Sequence, residues 1–513
     1  MTVYNEKELI LRKFKQNFSQ YKDQPIVLYG TGKNTEAILR ECGHDFCIAG
    51  VMDVKKEKEI FCGRKVLTLQ QVKELCVNLI VLICLPVSED IVYERIRDFT
   101  EKAQIRVFNL DGIEKHPRTD GHPFPALTDK EKEKMAETGE LSALFRHTIY
   151  FDLERDADTW MKNKMLDFFV KELLNDSMGI EKDGRVFIAD PAKIGYLYWG
   201  PVFTGFLLWM VRAAMSDSCD VILFQSRDGY LLQKMYGILK DTYKKEVQFP
   251  ADIYFLTSRR SSSMARIRTE EDIRVAAEYP WNGTTEMFME RRFGVHVDSE
   301  ELSDMDCGQC AIKYKENIFE RAREERSNYN KYLNSLNLQQ YQRAALIDTT
   351  AAGTVQTNLQ HFMELPMKGY YFLKRVSAVE ENNLIDVQSY YPSKCSYEIK
   401  ENVYKNFRIM ELVLSSRQST LVCFDKDGKP EYAKEKMSEE EKNMLEGMQQ
   451  GVLRYFKDIC NMGLEWERLE LDKDFADEIL GRMNDRYIIM NDTRIKNLVL
   501  EDYFCNVEKQ AFV

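Results

Sequence analysis

Positive charge is what this chain is short of: 72 lysines and arginines stand against 83 acids, a net charge of -11. This balance argues against nonspecific nucleic-acid binding, which needs clustered positive charge, while local basic clusters inside an acidic chain stay compatible with a small phosphorylated ligand. Histidine is scarce too, at six residues, and none stands with a serine or cysteine in the context of a catalytic triad. The twelve cysteines are scattered, and Cys84 and Cys423 fall in apolar runs where a free thiol behaves as a small hydrophobe. Cys307-Gly308-Gln309-Cys310 is a lone CxxC, short of the four ligands of a structural zinc site. No disulfide framework is expected, which points to the cytoplasm. The start, Met1-Thr2-Val3-Tyr4-Asn5-Glu6-Lys7, is polar and lacks the pattern of a cleavable signal. Long apolar runs are nearly absent. The stretch 197–215 is borderline for a span of about 20 residues. It contains Gly200-Pro201, and proline suits the first turn of a helix, so a buried helix rather than a membrane span is expected. There is no internal repeat and no low-complexity tract.

What is present is the composition of a globular protein, 44% hydrophobic and 30% charged, with a length of 513 residues that suits two or three domains. After an amphipathic lead-in over 1–23, short apolar runs at 25–29, 46–52, 78–85 and 105–109 alternate with helical segments near 35–41 and 92–100. Alternation of this kind implies a parallel sheet with right-handed crossovers. Residues 1–112 are therefore expected to form a Rossmann-like nucleotide-binding domain. Residues 113–185 read as a linker and helical connector, with a strand-like 147–153. A larger α/β domain should cover 186–436, interrupted by a helical insertion at about 262–340, and 437–513 should be a C-terminal helical region. The expected fold class is α/β, with two parallel-sheet Rossmann-like domains.

Three apolar strands in the larger domain run directly into polar turns. They are 220–225 before Ser226-Arg227-Asp228-Gly229, 252–256 before Thr257-Ser258-Arg259-Arg260, and 343–347 before Asp348-Thr349-Thr350-Ala351-Ala352-Gly353-Thr354. In open α/β sheets ligands sit beyond the carboxyl ends of the strands, so neighbouring strands would gather these turns into one anion-binding crevice. Arg227 and Arg259 would neutralise a phosphate, Arg227 as a bidentate fork. Ser226 and Thr349 add hydroxyls, and the Gly353-Thr354 backbone would cradle the anion. Two adjacent arginines point to opposite sides, so at most one of Arg259 and Arg260 enters the crevice; the other suits the surface or an acid of the insertion. Asp228 and Asp348 would act as base or metal ligand, and Mg²⁺ is the metal that such acids suit in phosphate chemistry. The last turn is also similar to the ribose-phosphate loop of phosphoribosyltransferases, although shorter and without their paired acids.

Near the N-terminus, Gly30-Thr31-Gly32-Lys33-Asn34-Thr35 follows a strand and opens a helix, and Asp53 closes the next strand about 20 residues on. Gly30, Gly32 and Lys33 would present backbone N–H groups and a cation to a nucleotide phosphate, with Asp53 on the ribose. Thr35 stands where the third glycine of the dinucleotide fingerprint belongs. Asp156-Ala157-Asp158-Thr159 matches the nucleophile pattern of haloacid-dehalogenase-type phosphatases, but Glu154-Arg155 interrupts the strand that should lead into it.

Tyr198-Trp199-Gly200-Pro201, Gly205-Phe206-Leu207-Leu208-Trp209, and Phe224-Gln225-Ser226-Arg227-Asp228-Gly229-Tyr230-Leu231-Leu232 carry a family resemblance. Thr257-Ser258-Arg259-Arg260, Ile347-Asp348, Gly353-Thr354-Val355-Gln356, and Glu411-Leu412 with Ser419-Thr420 continue it in order. The series, over roughly 190–460, resembles the C-terminal region of predicted haloacid-dehalogenase-superfamily hydrolases associated with bacterial surface-polysaccharide biosynthesis. In place of that family's preceding phosphatase domain, this chain carries the small N-terminal α/β module. The resemblance implies a cytoplasmic bacterial protein that binds a phosphorylated sugar or sugar nucleotide, alongside glycosyltransferases, with hydrolase or transferase chemistry on a phosphate ester. Two other readings stay open: a non-catalytic adaptor whose N-terminal module senses a nucleotide, and a phosphoribosyltransferase-like enzyme.

Overall fold

The computed structural model describes residues 6–54, 56–75, 77–84, 89–115, 159–174, 186–188, 190–298, 305–377, 379–392, 401–481, 483, 488–489 and 498–511. The chain divides into two compact units, Met1–Pro123 with Lys394–Lys405, and Phe124–Ser393 with Asn406–Val513. The strand expected at 147–153 and residues 156–158 of the Asp156-Ala157-Asp158-Thr159 pattern lie outside the described residues, as does most of the expected linker.

In the first unit, β1 (Ile26–Tyr29), β2 (Ile48–Met52), β3 (Leu79–Leu82) and β4 (Arg106–Asn109) pair in parallel in the order β2-β1-β3-β4. A short antiparallel β5 (Glu114–Lys115) closes the edge, so the sheet is mixed rather than purely parallel. The runs Ile-Val-Leu-Tyr and Leu-Ile-Val-Leu are buried along their whole length, as strands covered on both faces require. α1 (Glu6–Phe18) repeats apolar residues every four positions. Ile10, Phe14 and Phe18 are thereby brought to one face and into a core with Phe46 and Phe108. α2 (Lys33–Cys42) follows β1.

The second unit holds a five-stranded, wholly parallel sheet of β6 (Val221–Gln225), β7 (Ala251–Phe255), β8 (Ala344–Ala351), β9 (Met367–Lys374) and β10 (Val387–Tyr391). Its order is β7-β6-β8-β9-β10. The order reverses between β6 and β8, the place where a doubly wound sheet opens a ligand crevice. The register shows where the two strands part. β6 pairs with β8 only as far as Phe224 opposite Ile347, and then turns away at Ser226. β8 runs on beside β9, with Asp348 opposite Tyr371 and Ala351 opposite Lys374. Residues 348–351, read from the sequence as a turn, are therefore strand, because β9 continues to supply partners after β6 has stopped.

One helix among the described residues, α4 (Pro191–Ser216, following α3, Trp160–Leu174), is long and apolar enough to cross a membrane. Its apolar window is 94% buried inside the protein, so the fold itself uses that surface. Part of the covering comes from α9 (Glu439–Cys460), through glycines on both helices. A Cβ on Gly195 would lie 1.9 Å from the Met448 carbonyl oxygen, and one on Gly451 would lie 1.9 Å from that of Ala192. The C-terminal helix is thus built into the second unit's core instead of forming a peripheral layer.

Candidate functional site

The crevice beyond β6 and β8 is assembled from short connections whose side chains first serve the fold. Ser226 donates its amide to the Phe255 carbonyl at 2.9 Å. Its hydroxyl donates to the Thr257 carbonyl at 2.9 Å and accepts the Thr257 amide at 3.1 Å. This hydroxyl ties the ends of β6 and β7 together and is already engaged in the fold. Asp228 lies just before α5 (Gly229–Tyr243), accepting the Thr349 hydroxyl at 2.9 Å on one carboxylate oxygen and the Ser415 hydroxyl at 3.1 Å on the other. The Thr349 amide in turn donates to Asp348 Oδ1 at 2.8 Å, so a single residue of β8 bridges both aspartates. Ser415 follows α8 (Phe407–Leu414) and shares its hydroxyl with the Glu411 carbonyl at 2.6 Å, bringing the start of α8's last turn to the same place.

Asp228, Asp348 and Glu411 are all half-buried. Burial, then the charge of Asp228, pushes the Asp348 carboxyl up to about 7 against the pull of the Thr349 amide, Gln225 and Arg259. Burial and the same Asp228 charge push Glu411 up to about 8, although Arg259 and Arg375 oppose it. Lys374, at the end of β9, is lowered to about 8 by burial, with Asp348 resisting the shift. Its ammonium donates to the Ala352 carbonyl at 2.6 Å and the Arg375 carbonyl at 2.9 Å. The crevice therefore holds acids that keep protons near neutrality beside an amine that gives one up readily.

The arginines divide into two kinds. Arg259 is held from outside the sheet, donating to Asp502 at 2.8 Å and lying over the Phe504 ring at 5.6 Å. Arg260 is not a ligand group. It is 1% exposed and clamps Glu325 of the insertion through two bonds of 2.7 and 2.9 Å, with Nε on the Arg291 carbonyl at 2.8 Å. Of the two adjacent arginines offered as phosphate contacts, Arg260 is therefore the one that meets an acid of the insertion, and it is withdrawn as a phosphate contact because its charge is already used inside the fold. Arg227 and Arg375 are different. Neither guanidinium has a hydrogen-bond or ion-pair partner among the described residues, Arg227 is half-buried, and Arg375 is exposed.

Gly353 and Thr354 also serve the fold. Gly353 (φ +97°) caps a seven-residue helix, Thr354–Gln360, and a Cβ there would meet Ile385 Cδ1 at 2.5 Å and the Asn382 carbonyl at 3.0 Å. The Thr354 hydroxyl is engaged with Tyr279 at 3.1 Å and Asn382 at 3.2 Å. The expected phosphate cradle is thus walled off by the segment that follows β9. Gly353→Ala should cost about 1–3 kcal/mol, from the left-handed backbone and the crowded Cβ. Urea denaturation checks this, and an unchanged midpoint would rule it out.

In the first unit, Gly30 has φ +122°, Gly32 caps α2 with open space around it, and Lys33 is exposed. Asp53 accepts the Thr31 hydroxyl at 3.0 Å, which closes the loop on itself. Thr35 is fully buried in the first turn of α2 and its hydroxyl has no partner among the described residues.

Among the described residues no group of three or more His, Cys, Asp or Glu side chains is placed to hold a metal ion. Glu411, Lys374, Arg375 and Ser415 were not read as site residues from the sequence. The signal for two of them was present, since Met367–Lys374 followed by Arg375 repeats the pattern of an apolar strand ending in cations. No protein-family model matches the chain, and no curated protein does.

Proposed function

We propose that the second unit is an enzyme domain acting on a phosphorylated sugar or sugar nucleotide, with Asp348 and Glu411 as its proton-handling acids. The observation that supports this most is the composition of one crevice at the sheet's switch point. Asp228, Asp348 and Glu411 lie there within electrostatic reach of one another, and Arg375, unpartnered like Arg227, acts on Glu411. Arg227 and Arg375 neutralise the phosphate as a fork or a point charge. A carboxyl that is protonated near neutrality donates to the leaving alkoxide oxygen, while its ionised neighbour takes a proton from the attacking water or hydroxyl. Asp228, held by Thr349 and Ser415, fixes the position and charge of that neighbour. In this reading the two sheets are Rossmann-like domains of a cytoplasmic bacterial protein of surface-polysaccharide metabolism, working beside glycosyltransferases.

Calorimetric titration with sugar phosphates and nucleotide sugars tests it. Arg227→Ala and Arg375→Ala should each weaken binding about tenfold or more, since a hydrogen bond to a charged group contributes about 1.5–3 kcal/mol. Neither change should lower the melting temperature, because neither guanidinium holds another side chain. Unchanged affinity in both variants would refute the anion-site assignment.

A second reading, a nucleotide-sensing adaptor, is favoured by Thr35. Its buried hydroxyl, without a partner among the described residues, sits beneath the loop Gly30–Gly32, where a phosphate at the N-terminus of α2 would be received. Nucleotide binding that survives the two arginine changes but is lost in Thr35→Val would support it.

A further inference from the structure

A second polar cavity, of about 370 Å³, opens between α3, α4 and the end of α9 in the same unit, with Lys171, Glu172, Tyr196, Arg454, Asp458 and Asn461 in its wall. The sequence of α9 explains why it opens there. Gly447 and Gly451 occupy the face that lets α4 approach closely, and the same face continues one turn on as Arg454 and Asp458, whose length holds the helices apart.

The wall carries both signs of charge. Glu172 is 6% exposed and Tyr196 4%. Arg454 is ion-paired to Glu172, and its guanidinium lies 4.7 Å from the Tyr196 ring centre. Tyr196 donates its hydroxyl to Asp458 Oδ2 at 2.9 Å. These contacts set a cation and an anion side by side, one helical turn apart. Two charged groups are left over. Among the described residues, Asp458 Oδ1 accepts no hydrogen bond and exposed Lys171 has no partner.

We propose that this cavity binds a small zwitterion of the α-amino-acid class, with its ammonium on Asp458 and its carboxylate on Lys171 and the outward edge of Arg454. A plain anion would be set against Asp458 and Glu172, and a plain cation against Lys171 and Arg454, so a ligand carrying both charges complements the wall best. Glu172 and Tyr196 are the positioning groups, holding Arg454 and Asp458 in place. The assignment does not depend on the sheet-edge site.

The test is calorimetry on the full chain with L-alanine, L-serine, L-glutamine, L-glutamate and L-lysine, together with the N-acetyl and C-amide forms of any binder. At least one free amino acid should bind, and removing either of its charges should weaken it about tenfold or more. Lys171→Ala, at an exposed and unpaired position, and Asp458→Asn should each produce a similar loss. Absence of binding across the panel, equal binding of the N-acetyl form, or an Lys171→Ala variant of wild-type affinity would each overturn the proposal.

Discussion

Asp348→Asn is expected to lower turnover of a phosphate-ester substrate at least about a hundredfold, the low end of what a positioned proton carrier contributes, while making the protein more stable at alkaline pH. The two effects have one cause. In the folded chain burial and the charge of Asp228 raise this carboxyl from 3.8 to about 7. Between those values the native state holds a proton that the unfolded chain has released, so stability is full at low pH and falls as pH rises through about 7. Asparagine is neutral throughout and removes that loss. Urea midpoints compared at pH 5 and pH 8 should therefore drop for the wild type and drop less for the variant. Glu411→Gln should behave in the same way over the interval from 4.5 to about 8. A variant with full turnover would remove Asp348 from the chemistry, and an unaltered pH slope would show that its acid is not raised.

Which acids and cations would share a crevice was partly legible in the chain, and the reason for the rest is physical. Buried runs such as Val221–Gln225 announce a strand by composition alone, and the residue after a strand's carboxyl end is fixed by counting. Asp228 and Asp348 follow directly from that. How far β8 extends beyond Ile347 depended on its partner, because β9 lends it pairing through Ala351. Likewise the destination of Arg259 is Asp502, 243 positions away, and that of Arg260 is Glu325, 65 positions away. A local pattern can say that neighbouring arginines diverge. It cannot say which one meets an acid in the core, since both acids lie in segments with no periodic signal linking them to the sheet. Gly353 shows a related limit: the glycine signals a left-handed turn correctly, but its close packing against Asn382 and Ile385 is set by residues beyond any local pattern.

The two adjacent arginines consequently make opposite predictions. Arg260→Ala should destabilise the protein by about 3–5 kcal/mol, because it leaves Glu325 buried with much of its charge unanswered. Glu325 is 3% exposed, and the remaining contact, Arg321 at 2.9 Å, is a single bond from a partly exposed side chain. Ligand binding by the fraction that stays folded should change little, since the Arg260 guanidinium faces the insertion. Replacing both partners, Arg260→Met with Glu325→Leu, should recover most of the loss, as the cost lies in the unpaired charge rather than in the missing attraction. Arg259→Ala should do the reverse. Its ion pair with Asp502 involves a side chain 40% exposed, worth at most about 1 kcal/mol. Yet it removes a positive charge that acts on both Asp348 and Glu411. The alkaline limb of the activity profile should then move upward in pH with the stability barely changed. Urea denaturation and pH–rate profiles of the two single variants and the double variant decide the matter, and a loss below about 1 kcal/mol in Arg260→Ala would contradict the buried pair.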